Sequence, residues 1–324
     1  MNTSLKFVSA ACASLLLAPP AWAKADSAPG NMPGWTWPTF IILPLLLMLG
    51  AYAFGLLKML RGRARGSVRL WSVLFFISGW FSLLIALDSP IHELGEQLFW
   101  VHMTQHEIMM VISAPLLVLG KPFVTFLWAI PKSWRENWGV FSKWRPVKAG
   151  WKIIAAPLMA WILHALALWG WHAPILFDAT LTSDFLHSLQ HVSFLGTALL
   201  FWWALIYEHR GLGYGGALLY VFTTAVHTSI LGAWLTFSSR AWYAPYSATA
   251  PAWHISALED QQLGGLIMWI PAGTLLVVVS LVLLVKWMAE SDRRWKHSRA
   301  AAVISGSLHT RAEILASQGV SDVR

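Results

Sequence analysis

Residues 100–110 read WVHMTQHEIMM and open an apolar run that continues to about Leu119. His102 and His106 are four residues apart, so on a helix they share one face. A second pair with the same spacing, His187 and His191, opens another apolar run. Ionisable side chains are costly inside apolar helices and usually serve a function there. The two pairs therefore indicate a site within a membrane fold.

The composition is that of a membrane protein. Of the 324 residues, 57% are hydrophobic and only 12% are charged, with a mean hydropathy of +0.57. A soluble domain carries about twice that charged fraction. The net charge of +8 invites a nucleic-acid interpretation, but the basic residues fall in short loops between apolar runs, where they report topology. We expect a lipid bilayer as partner, and no nucleic acid.

The N-terminal segment has the features of a secretory signal peptide. Lys6 precedes an apolar stretch at residues 7–17, and Ala21-Trp22-Ala23 forms a small-residue cleavage site. Cleavage after residue 23 would leave a periplasmic tail at residues 24–37 and would remove Cys12, the single cysteine. A soft metal ligand in the mature chain would then have to be methionine.

Seven apolar runs follow, each near the roughly 20 residues that a bilayer requires. They lie at residues 38–60, 69–87, 97–119, 152–172, 184–208, 215–238 and 264–287. The sequence predicts an all-α fold, a polytopic membrane bundle of about seven transmembrane helices over residues 38–290. Residues 291–324 would form a cytoplasmic C-terminal tail. Gly213, Gly215 and Gly216 are the glycines that we expect to permit close helix contact.

Lys and Arg residues set the orientation. The loop at 58–69 has five basic residues and no acidic residue, and the segment at 120–152 has seven basic residues against Glu136. We interpret residues 120–150 as an interfacial cytoplasmic loop. On the opposite side the mature chain has only Lys24 and Arg240. Because basic loops stay in the cytoplasm, the N-terminus is predicted to be periplasmic and the C-terminus cytoplasmic. We expect a multi-pass protein of the bacterial cytoplasmic (inner) membrane.

In this orientation, both histidine pairs lie in the first turns of inward-running helices. With a rise of about 1.5 Å per residue, His106 and His191 come out roughly 10–14 Å below the outer surface. Other polar residues are predicted nearby: His172 and Asp88 at the rim, His164 at the same depth, His227 slightly deeper, and His92 and His254 in outer loops. The histidines therefore concentrate in the periplasmic half of the bundle.

Clustered imidazoles and thioethers indicate a metal site. One i, i+4 pair can supply two ligands, neutral imidazole is the ligating form, and thioethers favour Cu(I). We predict copper, with zinc as the alternative, and a donor set drawn from His102, His106, His187, His191, His172, His164, His227, Asp88, Met110 and Met268. Glu107 would either orient a ligand histidine or form a structural pair.

Four stretches carry a family resemblance: HMTQH at 102–106, WGWHAP at 169–174, LHSLQH at 186–191 and LEDQQLGGLIMW at 258–269. Together they resemble the CtaG family of caa(3)-type cytochrome c oxidase assembly factors, in the family's order and across most of the membrane domain. An unrelated single-span copper chaperone that shares the name is not resembled. The resemblance implies a non-enzymatic role in maturing the copper-containing oxidase, with an oxidase subunit or a periplasmic copper chaperone as partner.

Three other functions remain open at this stage. A bis-histidine haem protein would use histidines on adjacent helices, although no C-x-x-C-H motif is present. A metal permease would need ligands through the full depth, and the inner halves of these helices have none. A zinc hydrolase could combine three histidines with Asp88 or Glu107, but no H-E-x-x-H motif occurs.

The predicted topology is testable with reporter fusions. Because the basic loops should remain inside, a fusion at residue 140 should report cytoplasm and a fusion at residue 250 should report periplasm. If both fusions report the same compartment, the topology is wrong.

Overall fold

The computed structural model describes residues 33–62 and 68–319, which are helical apart from short connections and include no strand. The predicted signal peptide at residues 1–23 and most of the tail at 24–37 lie outside the described residues. The first helices are α1 (Thr39–Arg61), α2 (Leu70–Asp88), α3 (Pro90–Gln97), α4 (Phe99–Leu119) and α5 (Pro122–Ala129). They are followed by α6 (Lys132–Phe141), α7 (Arg145–Ile154), α8 (Pro157–Trp171) and α9 (Pro174–Thr182).

The C-terminal half contains the longest helices. Helix α10 (Asp184–Trp203) continues through a π-helical segment (Ala204–Glu208) into α11 (His209–Thr236). Gly213 kinks α11 with a φ of 67°, a conformation that glycine adopts readily. A short α12 (Tyr246–Thr249) and the 3-10 turn Ala250–Trp253 lead to α13 (Ala257–Gly319).

The number of membrane spans agrees with the prediction. Five helices, α1, α2, α10, α11 and α13, contain segments long and apolar enough to cross a bilayer. Two bent pairs, α4 with α5 at 61° and α7 with α8 at 60°, raise the number to seven if each pair is one span. The all-α polytopic bundle with about seven transmembrane helices is confirmed.

Several helix boundaries differ from the prediction. Residues 122–154 form three short helices where an interfacial loop was expected. Helix α13 begins at Ala257 instead of 264 because Ser256 and Glu259 form a capping box. The Ser256 N–H donates to Glu259 Oε2 at 2.8 Å, and the Glu259 N–H donates to Ser256 Oγ at 3.2 Å. The prediction missed this first turn because its residues are polar and hydropathy detects only the apolar run.

The closest crossing between α11 and α13 lies at Gly232 and Gly265. A Cβ atom at Gly265 would lie 2.7 Å from the Gly232 carbonyl oxygen, and one at Gly232 would lie 3.0 Å from the Gly265 oxygen. Gly213, Gly215 and Gly216 were the wrong glycines for a close backbone approach, since a Cβ at these positions would meet no backbone atom of another helix within 4 Å. Glycine spacing cannot distinguish these positions without knowing which helices pair.

Helix α4 contains a π-helical segment at Ile108–Ser113, directly after Glu107. Such segments loosen the regular hydrogen-bond ladder and are frequent at functional sites. Trp202 of α10 and Tyr207 of the π-helical segment after it donate hydrogen bonds to the backbone of α4. Trp202 Nε1 donates to the Met110 carbonyl at 2.9 Å, and the Tyr207 hydroxyl donates to the Val118 carbonyl at 3.1 Å. These bonds hold α4 against α10, and these two helices carry the histidine pairs.

We expect Gly265→Ala to destabilise the bundle by about 1–3 kcal/mol, because the added methyl group would press on the backbone of α11. Gly273→Ala is the matched control on the same helix, since a Cβ there meets no atom within 4 Å. Thermal unfolding in detergent micelles measures both variants. Equal melting temperatures would contradict the proposed contact.

Candidate metal site

Asp260 sets the position of the first histidine pair. Its carboxylate accepts the backbone N–H of Phe99 at 2.7 Å and of Trp100 at 2.9 Å. The first N–H groups of a helix have no partner within the helix, and Leu98, the residue before α4, has no side chain that can cap it. Asp260 lies in the first turn of α13 and is fully buried. It therefore caps a helix other than its own and attaches the start of α4 to α13.

Three histidines bring their ring nitrogens together inside the bundle. His102 and His106 of α4 and His191 of α10 each offer a nitrogen, and these nitrogens lie within 4.8 Å of one another. The ring centroids are 4.4 Å apart for His102 and His106 and 5.3 Å apart for His106 and His191. All three side chains are buried. Two i, i+4 faces from different helices therefore meet in one cluster.

Two more histidines complete this histidine cluster at its outer end. The His187 ring lies 5.3 Å from that of His102 and 4.4 Å from that of His191. His92, from α3, stacks on His187 at 5.3 Å. The sequence placed His92 in an outer loop, because nothing in its local pattern shows that α3 folds back over α4. Gly95 permits this packing, since a Cβ there would lie 3.2 Å from the Cα of His102.

Hydrogen bonds determine which nitrogen of His102 carries the proton. The Tyr246 hydroxyl donates to the Gly95 carbonyl at 2.9 Å and lies 3.3 Å from His102 Nδ1. A hydroxyl has one hydrogen, so the Tyr246 oxygen can only accept from Nδ1. His102 therefore carries its proton on Nδ1, and its buried Nε2, which has no partner among the described residues, presents a lone pair.

His92 has the opposite arrangement. The Gln105 amide nitrogen donates to the Ala86 carbonyl at 2.8 Å and to His92 Nδ1 at 2.9 Å. A neutral His92 then carries its proton on Nε2, so this nitrogen is a hydrogen-bond donor and not a metal ligand. Burial lowers the pKa of His92, which favours the neutral ring, while Glu96 and Asp184 raise it. His92 is therefore placed to orient its neighbours.

His172 lies beside the cluster and faces a thioether. Its Nδ1 lies 2.7 Å from the Leu168 carbonyl and can only donate to it, so the neutral ring has a lone pair on Nε2. That nitrogen lies 3.4 Å from Met103 Sδ. Two lone pairs that face each other at this distance favour a shared cation or proton. His172 is thus paired with a soft donor that the predicted donor set did not include.

The other predicted ligands lie outside the group of three close imidazoles. Asp88 accepts the Trp37 N–H at 2.9 Å and the Thr36 hydroxyl at 3.5 Å, so it holds the segment before α1. The His227 ring packs against Trp161 at 5.3 Å. His164, Met110 and Met268 line a separate cavity with Glu107.

The cluster has the properties of a metal site. His102 Nε2, both ring nitrogens of His106 and His191 Nε2 are buried and have no hydrogen-bond partner among the described residues. An unpaired buried polar atom costs about 1–3 kcal/mol, so several in contact indicate that something else satisfies them. Three imidazoles suit copper and zinc. Tyr246 is an outer partner that sequence could not reveal, because 144 residues separate it from His102.

The fold and the cluster define a polytopic membrane protein with buried histidines shared between two helices. The chain belongs to the family described as cytochrome c oxidase caa3 assembly factor, whose profile matches residues 41–290. The family predicted from the four sequence stretches is therefore confirmed.

Three curated mycobacterial relatives are described only as uncharacterised proteins. The chain is 26% identical to proteins of Mycobacterium bovis and Mycobacterium tuberculosis over 226 residues, 68% of this chain and 34% of each relative. It is 25% identical to a protein of Mycobacterium leprae over 248 residues, 71% of this chain and 37% of the relative. The chain thus spans about a third of the length of these relatives. No solved structure matches it.

We expect Asp260→Asn to loosen the start of α4, because an amide presents one acceptor oxygen where the carboxylate presents two. The stability loss should be about 1–3 kcal/mol. Hydrogen exchange should rise at the amides of residues 99 and 100. Asp292→Asn, an exposed change on the same helix, is the control, and equal exchange in both variants would rule out the capping role.

Proposed function

We propose that this member of the oxidase assembly family binds copper at the histidine cluster and supports maturation of the oxidase metal centre. One observation carries the proposal: three imidazoles from two helices place nitrogens within 4.8 Å of one another, and buried nitrogens among them have no hydrogen-bond partner in the part of the chain that the structure describes. Copper is the cargo in this proposal, not a resident cofactor. The protein would act without catalysing a reaction.

The ligands in the proposal are His102, His106 and His191, with His187 at the outer end. Tyr246 holds His102 in the tautomer whose Nε2 can bind copper, and such outer hydrogen bonds typically change metal affinity by about 10- to 100-fold. Met103 and His172 offer a neighbouring soft pair. The proposed ligands are neutral and include no thiolate, so Cu(I) can be bound and released without protonation of a thiolate ligand.

The proposed orientation places the cluster near the periplasm. The positive-inside rule assigns the segment before α1 and the α3 side to the periplasm. Copper would then reach the cluster from a periplasmic chaperone and leave toward an oxidase subunit in the bacterial inner membrane. The acidic residues Glu96 and Asp184, which act electrostatically on His92, would attract a cation to this end.

Packing favours a small ion over the haem alternative. His102 and His106 are on one helix with their ring centroids 4.4 Å apart, and Phe177 and Phe194 lie 5.1 Å and 4.7 Å from these two rings. A bis-histidine haem requires a flat macrocycle between its two axial imidazoles. Copper requires no such slot.

We expect His106→Ala/His191→Ala to abolish copper binding at the cluster, because the ion would lose two of its three close ligands. The loss should exceed the roughly 10- to 100-fold cost of removing an outer partner. The bundle should stay folded because packing over many helices holds it. Anaerobic Cu(I) titration of the purified protein, with circular dichroism to check the fold, measures both expectations.

His254→Asn provides the matched histidine control. His254 is exposed and has a φ of 61°, a conformation that asparagine tolerates. In a deletion strain under limiting copper, the His254→Asn protein should restore assembled oxidase, and the double variant should not, with oxidase transcripts equal in both strains. Full restoration by the double variant would refute the role of the cluster.

A further inference from the structure

A second group of possible metal-ligating side chains surrounds a cavity next to the histidine cluster. The cavity has a volume of about 50 Å³ and lies between α4, α8, α10, α11 and α13. Its polar and sulfur-bearing lining comes from Glu107, Met110, His164, Thr224, Thr228 and Met268. Glu107 directly follows His106 on α4. His106 belongs to the histidine cluster, and Glu107 lines this cavity.

The hydroxyl groups of the cavity offer it only lone pairs. Thr224 donates its hydrogen to the Tyr220 carbonyl at 2.8 Å, and Thr228 donates to the Thr224 carbonyl at 3.0 Å. Trp202 also lines the cavity, but its N–H is donated to the Met110 carbonyl. The hydrogens of these three side chains are thus used elsewhere.

His164 also presents a lone pair. The Thr197 hydroxyl donates to the Ser193 carbonyl at 2.8 Å, so its oxygen accepts from His164 Nδ1 at 3.3 Å. In the neutral ring this leaves Nε2 unprotonated. The thioethers of Met110 and Met268 are acceptors as well, so residues with sulfur, nitrogen and oxygen lone pairs line the cavity among apolar side chains.

Glu107 adds an acid to this set of acceptors. Its side chain is 9% exposed, and Oε2 has no hydrogen-bond partner among the described residues. No Lys or Arg of the described residues forms an ion pair with it. A buried carboxylate without a partner is strongly unfavourable. A cation would satisfy it and the neutral acceptors together.

We propose that this cavity is a second copper site, selective for Cu(I). The two thioethers are soft donors that prefer Cu(I) to Zn²⁺ or Mg²⁺, and the imidazole also binds copper. The Glu107 carboxylate balances the single positive charge, which lowers the cost of placing the ion inside the bundle. This proposal rests on the proposed function, which identifies copper as the cargo. The second site would bind copper one helical turn along α4 from the histidine cluster.

Cu(I) titration of the full-length protein in detergent, without oxygen and against a chromophoric Cu(I) chelator, tests the proposal. Wild type should bind two ions. Met110→Leu/Met268→Leu should bind one, because leucine conserves volume but removes the sulfur donors. Met109→Leu is the matched control: Met109 is buried in the same π-helical segment, packs in the core of α1 and α2, and does not line the cavity. It should bind two.

X-ray absorption at the copper edge identifies the ligands. In the His106→Ala/His191→Ala background, the remaining ion should show sulfur neighbours, and the added leucines should abolish that ion. Glu107→Gln should weaken the second ion by at least about tenfold. Two bound ions in the Met110→Leu/Met268→Leu variant, or a single wild-type ion that this variant keeps, would overturn the proposal and would indicate a protonated Glu107 in a cavity without a metal.

The two proposals fail separately. If the histidine variant binds as many ions as wild type and the methionine variant binds one fewer, the cluster is not a copper site but the cavity is. If only the histidine variant loses an ion, the proposed function survives and the cavity site does not.

Discussion

The carboxylate of Asp260 is the contact on which the arrangement of the bundle depends. It accepts the first two N–H groups of α4 and joins that helix to the start of α13. In an apolar environment an unsatisfied backbone group is expensive, so this contact defines where α4 begins. The position of every later residue on α4 follows, including His102, His106 and Glu107. The cluster and the cavity thus share one anchor.

The hydrogen bonds of the histidine rings then determine which ring nitrogens could bind a metal. Tyr246, Thr197 and the Leu168 carbonyl each engage the Nδ1 of a different histidine, so His102, His164 and His172 all direct Nε2 lone pairs into the interior. In His92 the arrangement is reversed. Its Nδ1 accepts a hydrogen bond from the Gln105 amide, so its Nε2 carries the proton and is a hydrogen-bond donor. The hydrogen-bond partners therefore give these histidines different free nitrogens, although the side chains are chemically identical.

Much of this protein could be predicted without coordinates. Hydropathy placed the apolar runs that become the membrane helices of the bundle, because helix formation in lipid depends on local composition. The spacing of His102 with His106 and of His187 with His191 placed two imidazoles on each helix face. The polar first turn of α13 was missed, since its capping box, Ser256 with Glu259, lies outside the apolar run.

The sequence by itself determined the helices, their apolar character, the family and the two histidine pairs, because each of these depends on residues close together in the chain. Only the tertiary structure decided which distant residues meet. His92 joins the cluster because α3 folds over α4 at Gly95, and Asp88 instead holds the segment before α1. Glu107 and Met268 share a cavity across 161 positions of sequence. Such contacts depend on helix packing, which local patterns do not encode.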